Sequence, residues 1–293
     1  MFTVQQFFKR FPDDAACLQA VMDAQCDDNG RMPCVACQRN ARWYRLAARK
    51  AFTCQFCGHH YYPCAGTIFQ DSRTSLQSWL FAMYLFTTTR HGVPAKELER
   101  QLGVTYKTAW RMGHQIRNLM AGLEPTHLSG HVEVDETLVG GKAHGAGHSG
   151  WRAKKTVVMG MIERGGYAIT RIVPDTKGSS LLPHIVERVV HGSRISTDEW
   201  RAYGPLGFYG YKHGTVKHRL KEYVVGDDHV NSVEALWARL KVSIRGTHVH
   251  VSPKWLHRYA AEFTTRFNMR KRPSEMFARL FAAVSGTAFQ MPS

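Results

Sequence analysis

Four cysteines fall in two Cys-x-x-Cys turns, Cys34/Cys37 and Cys54/Cys57, with 16 residues between them. Each turn supplies two thiolates to one edge of a tetrahedron, so the two together make a closed four-sulfur zinc site. Between the turns lie Trp43, Tyr44 and Phe52 among Arg42, Arg45, Arg49 and Lys50. Such a ribbon is too short to build a core, and Zn²⁺ binding would have to supply its folding energy. Cys17, Cys26 and Cys64 lack that spacing and read as buried thiols, while His59 and His60 are not needed once the quartet is complete.

A second set of candidates is acidic. Asp135 lies in the run Val132–Thr137, where strand alternation places it opposite Val134 and alongside Glu133 and Thr137. Asp198 ends the short run Ile195–Asp198, and Glu234 lies in the helical stretch Asn231–Trp237. Hard divalent cations take oxygen ligands, and three carboxylates on two strands and a helix can hold two Mg²⁺ (or Mn²⁺) ions. Most acids are merely solvated, so the triple is suggestive and no more. Glu133 is the accessory candidate because it shares Asp135's face. Glu136 and Glu199 are expected to point away, and Asp227 and Asp228, after Gly226, read as turn residues.

The elements that must carry these groups follow from periodicity. A helical lead-in (1–30) ends at the turn Asp27-Asp28-Asn29-Gly30, and the zinc ribbon takes 31–66. Residues 67–125 are helical. Within them Lys96–Met112 reads as helix-turn-helix, with Gly103 at the turn, Leu98 and Leu102 packing one helix, and Val104, Ala109 and Met112 the other. Thr105 is the N-cap, which leaves Tyr106, Lys107, Thr108 and Arg111 on the outer face where a recognition helix meets a major groove. Residues 126–275 form an α/β domain. Its strands are expected at 131–139, 155–162, 167–173 and 194–198, and its helices at 179–190, 231–245 and 253–270. Residues 276–293 are expected to be a tail. The glycine-rich run 140–150 reads as a solvated loop carrying Lys142, His144 and His148, and it lacks the spacing of a phosphate-binding P-loop, which argues against a nucleotide cofactor.

Charge points to the partner. The 39 Lys and Arg exceed the 23 Asp and Glu by 16, and both sides of residue 130 are basic, at +6 and +10. A surplus spread over a folded chain favours a polyanion, with double-stranded DNA first. No apolar run approaches the ~18 residues of a membrane span, and the N-terminus lacks a signal peptide's apolar region, so the expected location is the cytoplasm, on the nucleoid. Seven cysteines, an odd number, argue against a disulfide framework.

Beyond these local readings, the chain resembles insertion-sequence transposases of the DDE type, in the group with an N-terminal zinc ribbon (the ISXO-like transposases). The resemblance rests on CVAC…CQFC, GTIF…SLQSWLFAMY, VEVDETLVGGK, STDEWRAY and HVNSVEALWARLKVSIRGTHVHVSPKWLHRYAAEFTTRFNMR, which together span about residues 5–272. It implies a ribonuclease-H-like catalytic domain with Asp135, Asp198 and Glu234 as its metal-binding triad. Asn231 and Lys241 also fall on the family's pattern, three residues before and seven after Glu234, hence on one helix face. Lys241 suits gripping a phosphate as a point charge. The implied activity is cleavage at transposon ends followed by strand transfer. The zinc ribbon and helix-turn-helix would read the terminal inverted repeats, and a homodimer or larger complex would join two ends. A metal-dependent nuclease on the same fold, or a non-catalytic zinc-ribbon transcription regulator, is the competing reading.

Overall fold

The computed structural model describes residues 2–140, 155–216 and 227–285, which divide into two units. Lys142, His144 and His148 lie outside the described residues. No helix among those described is long and apolar enough to cross a membrane.

The first unit takes in residues 2–89, 93–123 and 272–285. Its helical lead-in consists of two helices, α1 (Val4–Arg10) and α2 (Asp14–Asp23). Pro12 has no N–H with which to continue a helix, and the Asp13 carboxylate caps the second by accepting the Ala16 N–H at 2.8 Å. The ribbon is two small antiparallel sheets. One pairs β1 (Met32–Pro33) with β2 (Asn40–Ala41), and the other runs β3 (Trp43–Leu46), β4 (Ala51–Cys54), β5 (His60–Tyr61). Helix α3 (Leu76–Thr88) buries Trp79, Leu80, Met83 and Phe86. Helices α4 (Ala95–Leu102) and α5 (Tyr106–Ala121) meet at Gly103, whose φ of 63° is a left-handed conformation a side chain would resist. The expected tail begins with a further helix, Met276–Val284, because Met276, Phe277, Leu280, Phe281 and Val284 recur at helical spacing and are buried. The Phe277 ring sits 6.3 Å from that of Phe7 and 5.9 Å from that of Phe11.

The second unit takes in residues 90–92 and the described part of 124–271. Five strands, β6 (His131–Val139), β7 (Thr156–Glu163), β8 (Ala168–Val173), β9 (Arg194–Asp198) and β10 (Lys212–Val216), form one sheet in the order β10-β9-β6-β7-β8. The first three make an antiparallel meander, and β9 and β10 run parallel to β6. Alternation divides the core. Val132, Val134, Met159 and Met161 face helix α6 (Gly178–Arg188) and the 3₁₀ turns Arg201–Tyr209. Val158, Ile162 and Ala168 face the other way, against Val233, Leu236 and Leu240 of helix α7 (Asn231–Ser243) and Leu256 of helix α8 (Leu256–Asn268). Covering both faces is what parallel strands require. β10 was not expected. Lys212-His213-Gly214-Thr215-Val216 is mostly polar because β9 is its sole sheet partner, at the edge.

Candidate active site and metal centre

Strands β6 and β9 pair in parallel as His131↔Arg194, Val132↔Ile195 and Glu133↔Ser196. Carried two residues on, this register sets Asp135 and Asp198 level with each other where the pairing stops. Carboxyl ends of parallel strands are where α/β sheets open into a crevice. Here a cleft of about 400 Å³ is lined by Asp135, Asp198, Glu136, Asp175, Lys155 and Trp200, among others. Asp198 is anchored by the Trp200 backbone N–H, which donates to its Oδ1 at 3.0 Å, while the Trp200 indole N–H donates to the Thr176 carbonyl at 2.8 Å.

Asp135 faces α7, whose Trp237 donates its indole N–H to Asp135 Oδ2 at 2.9 Å. Burial, then the charges of Asp198 and Glu234, push the Asp135 carboxyl up to about 6, against the opposing pull of the Glu136 backbone N–H and the Trp237 indole. The charges of Asp198 and Glu234 therefore both reach the Asp135 carboxyl. Glu234 itself is exposed, near the start of α7, and Asn231 is that helix's exposed first residue. Burial, followed by the charges of Arg245 and Lys155, lowers the Lys241 ammonium, which Asp135 draws the other way. Lys241 lines a second cleft of about 670 Å³ with Lys155, Arg245 and His250. Glu136, Thr137, Leu138 and Lys155 line both clefts.

Three acids behave otherwise than expected. Glu136 does project to the face opposite Asp135, but it is not away from the site. It lines the same cleft, accepts the hydroxyl of buried Tyr203, and is pushed up to about 7 by burial and by the charges of Asp135 and Asp198. Glu133 keeps Asp135's face, yet its carboxylate is turned into the protein, onto the first turn of α7. Asp228 is no turn residue. It is buried, with Arg194 donating from Nε at 3.0 Å and from a terminal nitrogen at 2.6 Å. Its neighbour Asp227 is exposed.

Two contributors had little signal in the sequence. Trp237 looks like a core aromatic until its indole N–H is seen on Asp135. Gly160 pairs across the sheet with Asp135, and a Cβ there would lie 2.5 Å and 2.6 Å from ring atoms of Trp237. A glycine inside an apolar strand is the hint that something approaches closely.

In the first unit the sulfurs of Cys34, Cys37, Cys54 and Cys57 lie within 4.8 Å of one another. Cys34 and Cys57 are 3.7 Å apart, and Cys37 and Cys54 3.9 Å. A tetrahedron with Zn–S bonds of about 2.3 Å has edges of about 3.8 Å, so the quartet fits zinc. The Phe56 N–H pointing at Cys54 Sγ, at 3.5 Å, supports a thiolate. Among the described residues this is the one group of three or more potential ligands drawn so close; Asp135, Asp198 and Glu234 do not converge in that way.

On the helix-turn-helix, the Thr105 hydroxyl accepts the Thr108 N–H at 3.3 Å, as an N-cap does. Tyr106, Lys107 and Arg111 are exposed and Thr108 is half-buried beneath the cap. The Arg111 guanidinium lies over the Trp79 ring, 5.6 Å from its centroid.

Comparison with known proteins bears on the second unit. No curated protein matches the chain. One similar solved structure is that of the simian T-cell lymphotropic virus intasome in complex with PP2A regulatory subunit B56 gamma, at 14% identity and a TM-score of 0.31, over 62% of this chain and 67% of that one; the likeness is too slight to build on. The model of the ISXO2-like transposase domain matches residues 127–268, from just before β6 to the end of α8, and so contains Asp135, Asp198 and Glu234. Residues 127–268 thus match the ISXO2-like transposase domain, and that match supports the insertion-sequence DDE transposase that the sequence resembles.

Proposed function

We propose that the protein is a DNA transposase in which Asp135, Asp198 and Glu234 are the metal-binding catalytic carboxylates of a ribonuclease-H-like domain. The observation that carries this is that Asp135 on β6, level in register with Asp198 on β9, feels the charges of both Asp198 and Glu234 of α7, inside the transposase-domain segment. Their donor set is all oxygen, which suits Mg²⁺ or Mn²⁺, and such ions would supply Lewis acidity and a lowered water pKa. Cleavage adds a water oxygen to the phosphorus at the transposon end and breaks the bond to the 3′ oxygen, leaving a 3′-hydroxyl and a 5′-phosphate. That hydroxyl then attacks a target phosphodiester, joining the strands and releasing a target 3′-hydroxyl.

Around the reacting phosphate, Lys241 supplies a point charge, and Lys155 and Arg245 extend the positive field along the second cleft. Asn231, on the same helix face as Glu234, contacts the substrate strand. The Cys34/Cys37/Cys54/Cys57 zinc ribbon and the outer face at Tyr106, Lys107, Thr108 and Arg111 recognise the inverted repeats. Two ends require a homodimer or larger assembly. The protein works in the cytoplasm on the nucleoid, without a nucleotide cofactor.

The test is Glu234→Gln, which keeps shape and hydrogen bonding but removes the charge a hard cation needs. On a labelled duplex carrying the element's inverted repeat, with Mg²⁺, the variant is expected to bind the end yet neither cut nor join. Cutting at the wild-type rate would sink the triad.

A further inference from the structure

Glu133 lies two residues before Asp135 on β6, and none of its surface is exposed. A buried carboxylate is tolerated only with charged partners and a full set of hydrogen bonds. Here both oxygens are taken. Oε2 accepts the backbone N–H groups of Ser232 at 2.8 Å and Val233 at 3.3 Å, in the first turn of α7. Oε1 accepts Arg164 Nε at 2.9 Å and the Ser232 hydroxyl at 3.0 Å, with His229 Nδ1 3.1 Å away. No lone pair is left over for a cation in the cleft.

Arg164, the residue after β7, completes the joint. Its terminal nitrogens reach the carbonyls of Asp227 and His229 and the ring of His131, 3.0 Å away. A second strut braces the same approach to the helix: Asp228 is held by Arg194 and by the Ser196 hydroxyl at 2.6 Å. It occupies a space that Gly214 leaves open, where a Cβ would come within 2.2 Å of the carboxylate.

Val233, Leu236 and Leu240 already dock α7 on the sheet, but apolar burial is non-directional and lets a helix turn or slide. Charge-assisted bonds to the first-turn amides fix its rotation and its height, and the carboxylate complements the helix dipole. Glu234 follows Val233 directly, so whatever holds that amide sets where the third carboxylate stands.

We propose that Glu133 and Arg164 are positioning residues that lock the first turn of α7 to β6 and thereby register Glu234 against Asp135 and Asp198. This rests on the reading of those three as cation ligands.

The full-length, zinc-loaded protein is titrated with Mn²⁺, followed by electron paramagnetic resonance, and the Ser232 and Val233 amides are followed by hydrogen exchange. Glu133→Gln is expected to weaken Mn²⁺ binding by about 10- to 100-fold, the range for groups that orient metal ligands. It should also speed exchange at those two amides while leaving the core amides of β6 and β7 protected. Ser232→Ala, which removes only the hydroxyl contact, should show both effects more weakly, and it decides the matter if Glu133→Gln does not fold. Unchanged Mn²⁺ affinity and unchanged exchange in a folded variant overturn the proposal. If wild type and Asp135→Asn bind Mn²⁺ alike, the carboxylate reading itself fails, and the exchange arm still tests the lock.

Discussion

Replacing Asp135 by asparagine should make the protein more stable while destroying its function. The carboxyl titrates at about 6 in the folded chain against an ordinary 3.8, a gap of about 2 pH units. Below the lower value the group is protonated in both states and contributes its full stability. As pH rises, the unfolded chain releases the proton first and the folded chain must hold it. Above the higher value the buried site carries a charge that costs about 3 kcal/mol, taking about 1.4 kcal/mol per pH unit. Asparagine has nearly the same shape, keeps an oxygen for the Trp237 indole and never ionises. In buffer without added divalent cation, urea titration followed by tryptophan fluorescence should therefore find Asp135→Asn more stable by about 3 kcal/mol near pH 8 and about half that near pH 5. Differencing the two proteins at each pH cancels the acid sensitivity of the cysteine cluster. Mg²⁺ at about 100 times its Kd should then stabilise wild type alone, by about 2.7 kcal/mol, and nearly close the gap. A variant less stable than wild type near pH 8, or a difference that does not grow with pH, would refute the argument.

Gly160→Ala should destabilise the second unit by about 1–3 kcal/mol, read from the urea midpoint, because the new methyl meets the Trp237 ring; end cleavage should fall with it as the indole leaves Asp135. Cys37→Ser should abolish stoichiometric zinc by atomic absorption and weaken end binding, with the circular dichroism of the sheet domain retained. Lys107→Ala should lower the preference for the transposon end over random duplex; equal ratios for variant and wild type would remove that helix from recognition.

Much of the placement of the candidate residues on their elements could be read before the fold because those elements are periodic. β6 alternates from His131 to Asp135, β9 is a short run with branched Ile195 and Thr197, and α7 repeats every three to four residues, so Asp135, Asp198 and Glu234 could each be placed on an element. What alternation cannot say is which partner a side chain finds. It put Glu133 on the face of Asp135 correctly, yet the amides of Ser232 and Val233 that claim it come 99 and 100 residues later. It put Glu136 on the opposite face correctly too, but the cleft opens beyond the paired ends of the strands, where both faces reach it, and Tyr203 lies 67 residues on. β10 escaped because a polar edge strand carries no apolar rhythm, and its glycine answers to a carboxylate, Asp228, rather than to a turn.

The helix at Met276–Val284 bears on the order in which the molecule can be made. Phe277 and Phe281 form part of the wall that Phe7 and Phe11 pack against, so the first unit is assembled from segments that lie before and after the transposase domain in the sequence. Chains emerge from the ribosome at about 5–20 residues per second, and domains generally fold as they emerge. For some tens of seconds after the zinc ribbon has left the tunnel, the aromatic cluster beside it lacks that wall, while the transposase domain, continuous in sequence, can fold in the meantime. A nascent or truncated chain ending near residue 270 would thus carry a folded transposase domain joined to an open hydrophobic face, the kind of surface that chaperones and proteases recognise.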